Sequence, residues 1–145
     1  MFTVEDIMTT NLITVTPETS VGEAMKTLTE NEITGMPVVD DDMNLVGVIS
    51  EKDMLELLHD IENNDLNVEE FMTTDVSYFE QDTNLIDICD FLTKKDFRRV
   101  PITSNGRLVG ILTRKDIIRY IVDYQDLFKD ILPENSDCQE EVVSF

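Results

Sequence analysis

A mixed fold of the α+β or α/β class, made of two copies of one β-α-β-β-α unit, is what this 145-residue sequence predicts. Three observations predict it. The segment Val4-Glu5-Asp6-Ile7-Met8-Thr9-Thr10 returns as Val68-Glu69-Glu70-Phe71-Met72-Thr73-Thr74, an offset of 64 residues. The pairs Thr19 and Thr83, Leu28 and Leu92, and Pro37 and Pro101 keep that offset; after one lost residue, 45–53 matches 108–116 at offset 63. Within each copy the apolar spacing alternates between the strand period and the helix period.

Each copy opens on a short β-prone stretch, Leu12-Ile13-Thr14-Val15 and Val76-Ser77-Tyr78-Phe79, whose β-branched and aromatic side chains suit a strand. A helix follows, with Val21, Ala24, Met25 and Leu28, or Leu85, Ile88, Cys89 and Leu92, at i, i+3, i+4 and i+7. Thr19-Ser20 and Thr83-Asn84 supply N-cap side chains. Next comes a hairpin, Met36-Pro37-Val38-Val39 returning as Leu45-Val46-Gly47-Val48-Ile49, repeated from Val100-Pro101-Ile102 to Leu108-Val109-Gly110-Ile111-Leu112. Asn105-Gly106 between the second pair is a two-residue turn signal and accounts for the lost residue. A closing helix begins after Ser50 or Thr113 and is expected to bury Met54, Leu57, Leu58 and Ile61, or Ile117, Ile118, Ile121 and Val122.

The expected organisation is a first repeat at 1–62, a connection at 63–67, a second repeat at 68–125 and an acidic tail at 126–145 that loses all periodicity. Neither repeat is long enough to bury much core alone, so the two should pair. No apolar run approaches the ~18 residues that span a bilayer, and no basic and apolar leader stands at the start, so a cytoplasmic protein is expected. Cys89 and Cys138 show neither metal nor disulfide spacing.

A net charge of −20 argues against binding a nucleic-acid backbone. The charge is uneven. Residues 1–93 hold 2 basic and 22 acidic side chains, residues 94–119 hold 8 and 2, and residues 120–145 hold 1 and 7. The basic stretch is either a seat for a small anion or a solvated face.

Two copies in register, each with an apolar-Pro-apolar strand followed by Gly-apolar-apolar-Ser/Thr-x-x-Asp, resemble a tandem pair of cystathionine-β-synthase (CBS) domains, a Bateman module. The resemblance covers roughly residues 1–125. It implies two repeats packed about a pseudo-twofold axis, with clefts between them that take adenine nucleotides or related adenosyl compounds, and disk-like homodimers formed through the helices. Leu55, Leu58 and Ile121 are the residues expected to face outward in such a dimer.

Ser50 and Thr113 stand where a strand passes into a helix, a place suited to an anion; Asp53 and Asp116, one turn on, suit the hydroxyls of a ribose. The same residues serve equally as plain N-caps. Before the hairpin proline the copies differ: Ile33-Thr34-Gly35-Met36 stands against Phe97-Arg98-Arg99-Val100. The resemblance puts Arg98 and Arg99 near the ligand's phosphates, with Thr34 at the matching place in the first repeat, and guanidinium groups suit phosphate oxygens. It also puts Ile13, Ser77, Val48 and Ile111 around an adenine, where ordinary packing is an equal reading. With Arg98, Arg99 and Lys115 near it, the Thr113 and Asp116 cleft is expected to be the more cationic.

Asp40, Asp42, Asn44 and Glu51 fall at calcium-loop spacing, but Leu45 stands where that loop needs glycine, so a hairpin turn is expected. The lone His59 has no second histidine for a metal site, and Met8, Met25, Met36 and Met72 read as core filling. No nucleophile with a base and no metal set is visible, which disfavours an enzyme. The expected function is a stand-alone regulatory module that binds AMP, ADP or ATP, or else S-adenosylmethionine or NAD, senses energy state and acts on an enzyme or transporter in trans. The alternative is a ligand-free dimerisation module.

Overall fold

The structure, a computed structural model, describes residues 3–59, 66–95 and 97–124. The acidic tail with Cys138, residues 60–65 with Ile61, and the side chain of Leu58 lie outside the described residues.

In the first repeat, α1 (Val21–Glu30) precedes an antiparallel hairpin of β1 (Gly35–Val39) and β2 (Leu45–Ser50), which runs into the short α2 (Glu51–Leu55) and a 3-10 turn at Glu56–His59. The second repeats the order with β3 (Phe79–Glu80), α3 (Leu85–Lys94), β4 (Arg99–Ser104), β5 (Arg107–Thr113) and α4 (Arg114–Asp123). The expected order is complete in the second copy; in the first, the opening strand is reduced to one bridge and the remaining elements follow in the expected order. The caps are Ser20, whose hydroxyl accepts from the Glu23 N–H, and Asn84, whose side chain accepts from the Ile86 N–H. Asn105 and Gly106 both take positive φ, 53° and 86°, so the turn has the backbone that favours Asn-Gly in a two-residue hairpin.

The opening strands are shorter than expected. Val15 meets Val38 in a single parallel bridge, and only Phe79–Glu80 pairs with β4. Met25 is 42% exposed rather than core; on α4 none of the four expected residues is buried, Ile117 and Ile121 being half-buried and Ile118 and Val122 exposed, because that helix lies against the sheet on one side only. On α1 it is Val21, Ala24 and Leu28 that are buried. Asp40 closes the first hairpin turn: its carboxylate accepts from the backbone N–H of Asp42 and Asn44 at 2.9 and 2.8 Å and from the Asn44 side chain at 3.0 Å. These bonds, the Asn44 side chain first, hold its pKa below the ordinary value, and no metal-ligand group occurs among the described residues.

The two cores do not follow the repeat boundaries. Val68 is buried with Ala24, Val38 and Ile49, while Val4 is buried with Ile88, Ile102 and Leu112. The segment that begins each sequence repeat has crossed to the other repeat's hairpin. Thr9 exchanges two backbone bonds with Ile111, 2.9 and 3.0 Å, and Thr73 exchanges two with Val48, 2.9 and 3.0 Å. Glycine permits this approach: a Cβ on Gly47 would stand 2.9 Å from the Thr73 carbonyl oxygen, and one on Gly110 would press on the Met8 side chain. Met8 and Met72 are half-buried at these contacts, and Met36 is buried.

Candidate functional site

Both Ser/Thr-x-x-Asp motifs form capping boxes. The Ser50 hydroxyl accepts from the Asp53 N–H at 3.3 Å, and Asp53 Oδ2 accepts from the Ser50 N–H and the Ser50 hydroxyl, both at 2.9 Å. The Thr113 hydroxyl accepts from the Asp116 N–H, and Asp116 Oδ2 accepts from the Thr113 N–H, both at 3.0 Å. The hydroxyl of Thr9, on the crossed arm, reaches the same Asp116 oxygen at 3.4 Å. Capping is thus what the motif does locally. It also fixes where each carboxylate points, and in the first repeat a short helix follows, so little dipole stands behind Ser50.

A cavity of about 390 Å³ lies between the repeats. From the first repeat it takes Ser50 and Asp53 with Thr34, Gly35 and Val48; from the second it takes Arg98 and Arg99 with Val76, Ser77 and Ile111. Thr73 and Asp75 of the crossed arm, and Phe91 and Phe97, complete the wall. Two carboxylates, Asp53 and Asp75, therefore share the space with two guanidinium groups. The Arg99 guanidinium donates across the repeat boundary to the Thr34 hydroxyl at 2.6 Å and to the Gly35 carbonyl at 3.4 Å. The Thr34 carbonyl accepts from the Glu51 N–H at 2.9 Å, so Arg99 is tied through one residue to the start of α2. Gly35, the counterpart of Arg99 at offset 64, has no side chain with which to return the contact.

Of the residues expected to bind a ligand, this cavity gathers Thr34, Ser50, Asp53, Val48, Ser77, Arg98, Arg99 and Ile111. It does not include Thr113, Asp116 or the exposed Lys115, and Ile13 packs on the first core instead. The arginines thus join the first motif rather than the second, against the expected grouping. The reason is topological: the two hairpins lie against each other, so the start of β4 faces the start of β1 and the Ser50 end of β2. Sequence reasoning missed Asp75, Val76, Phe91 and Phe97. Thr73 carried a signal, the recurring Met-Thr-Thr, which by itself gives no direction.

Two repeats of one mixed α/β unit, with exchanged opening segments and between their hairpins a largely apolar cavity that carries a few charged groups, define a paired-repeat module. The chain belongs to the CBS-domain family, since residues 4–60 and 68–123 each match the CBS domain. It is 34% identical over 119 residues to protein MJ1225 of Methanocaldococcus jannaschii, a match that covers 81% of this chain and 42% of that protein. It superposes with a TM-score of 0.77 and 36% identity on the crystal structure of CBSX2 in complex with AMP, covering 86% of this chain and 99% of that one. CBSX2 is a chloroplastic CBS domain-containing protein of Arabidopsis thaliana, of whose full length this chain spans 63%. A third likeness, with TM-score 0.69 and 31% identity, is to the CBS domain pair of MJ0100 in complex with 5′-methylthioadenosine and S-adenosyl-L-methionine; it covers 85% and 98% of the two chains.

Proposed function

We propose that the chain is a regulatory module that binds an adenine nucleotide in the cavity between its repeats. The observation that carries this reading is the company Asp53 keeps there: a ribose-type carboxylate, two guanidinium groups and an apolar wall in one 390 Å³ space. In this reading Asp53 accepts from the ribose hydroxyls, Arg98 meets the phosphate, Ser50 and Thr34 line the phosphate end, and Val48, Ile111 and the backbone at Ser77 enclose the base. Arg99 keeps its hold on Thr34 or gives it up to the phosphate. The AMP of the CBSX2 crystal and the adenosyl ligands of the MJ0100 crystal support the adenosine part. The guanidinium groups favour the phosphate-bearing ligands AMP, ADP, ATP and NAD over the cationic sulfonium of S-adenosylmethionine. A second, weaker site at Thr113, Asp116 and Lys115 is retained, with the Thr9 contact to Asp116 standing in its way.

A thermal-shift panel of AMP, ADP, ATP, NAD and S-adenosylmethionine tests the reading, because a ligand that binds only the folded chain raises the melting temperature. AMP is expected to stabilise the wild type. Calorimetry then places the site: Asp53→Ala or Arg98→Ala should weaken binding about ten- to hundredfold, as a charge-assisted bond of roughly 1.5–3 kcal/mol implies, and Asp116→Ala far less. No shift with any of the five would leave a ligand-free dimerisation module.

No covalent chemistry is assigned, so the module would act through shape on a regulated enzyme or transporter. A homodimer built on the helices is part of the proposal; of the residues expected to face outward in it, Leu55 is 63% exposed, while Ile121 is half-buried. Sedimentation showing a monomer at tens of micromolar would count against it. No helix of the described residues is long and apolar enough to cross a membrane, and a cytoplasmic setting is retained as the simplest one.

A further inference from the structure

Among the large apolar side chains that stand exposed in the described residues, Phe97 is the one that lines the cavity. It is 49% exposed, an unfavourable place for a phenyl ring unless something covers it. The ring is braced. Its backbone N–H donates to the Lys95 carbonyl at 2.7 Å. It lies parallel to Phe91, with centroids 5.4 Å apart and planes 4° apart, and Phe91 meets Phe79 edge-on at 5.3 Å and 77°.

This ladder belongs to the second repeat alone: the first has Ile33, Thr27 and Val15 at the matching positions, and Ile33 packs on its own core. One face of Phe97 is taken by Phe91. Arg98 and Arg99 follow it directly in the chain and line the same space. A flat apolar ring beside guanidinium groups matches a ligand that carries a flat ring and an anion. Such rings attract one another most in offset stacking.

We propose that Phe97 is a specificity-determining residue of this cavity, a platform on which the purine of the nucleotide stacks. The proposal rests on the nucleotide reading above and adds the residue that recognises the base. It distinguishes a nucleotide from a sugar phosphate bearing the same ribose and phosphate.

The chain contains no tryptophan, so Phe97→Trp would place a single reporter at the platform. Calorimetry with AMP on the wild type, Phe97→Ile and Phe97→Trp, joined to the fluorescence of the Trp variant, tests the idea. Phe97→Ile, which installs the first repeat's residue, is expected to weaken AMP binding between about five- and a hundredfold, the span of base-aromatic stacking. Phe97→Trp should bind AMP about as well as the wild type and lose emission as AMP saturates it. Wild-type affinity in Phe97→Ile, or an unmoved Trp emission at saturating AMP, would overturn the platform while leaving the nucleotide site standing. A wild type that binds none of AMP, ADP, ATP and NAD would instead remove both readings together.

Discussion

A carboxylate that accepts three hydrogen bonds from one turn is worth more ionised than protonated, and Asp40 is such a group. Its folded pKa lies below the ordinary value of 3.8, with Asn44 the main cause. The stability it contributes is present above the ordinary carboxylate range and disappears as pH falls through the lowered folded value. Asp40→Asn should therefore be less stable than the wild type near neutral pH, and the gap should close in strong acid, as urea unfolding at several pH values would show. Gly47 makes a steric case. With the Thr73 carbonyl oxygen 2.9 Å from where its Cβ would sit, Gly47→Ala should cost about 1–3 kcal/mol, read from the midpoint of urea unfolding. At this scale the sequence was legible wherever chemistry is local. Asn105-Gly106, the Ser50 and Asp53 box and the Asn84 cap all follow from bonds between near neighbours. Phe97 was not legible, because nothing in its neighbourhood along the chain tells that one face of its ring is left open beside the arginines.

The elements that moved furthest from expectation are the shortest ones. Residues 12–14 and 76–78 have strand composition but little strand pairing, since Val76 and Ser77 face the cavity rather than a neighbouring strand. The opening arms show a different limit. Val4-Glu5-Asp6-Ile7-Met8-Thr9-Thr10 and its copy are so alike that the apolar pattern is satisfied equally by either hairpin, and only the three-dimensional path decides. That path gives Val4 a core role: it is fully buried at the second core. Val4→Ala should cost about 2 kcal/mol, two lost methylene equivalents plus some cavity. Hydrogen exchange should show the loss first at amides of β4 and β5, the strands on which that arm lies.

For the whole molecule, charge is the quantity to watch. A net −20 on 145 residues makes the folded state repel itself, and salt screens that repulsion over roughly 8–10 Å at 0.1–0.15 M. The melting temperature is expected to rise as sodium chloride goes from 10 mM to 300 mM; a flat or falling trend would mean that attractive pairs dominate. The duplicated architecture was readable in advance because an offset of 64 is a property of the sequence itself. The partnership of the arginines with Asp53 was not, because it depends on how two hairpins face each other. The crossed arms make each half depend on the other. Because both lie in one chain, the exchange of arms is intramolecular, with an effective concentration on the order of millimolar. Severing the chain between residues 62 and 67 should turn it into a concentration-dependent association: the two fragments are expected to fold poorly apart and to recover the module on mixing, each lending the other its first strap of backbone.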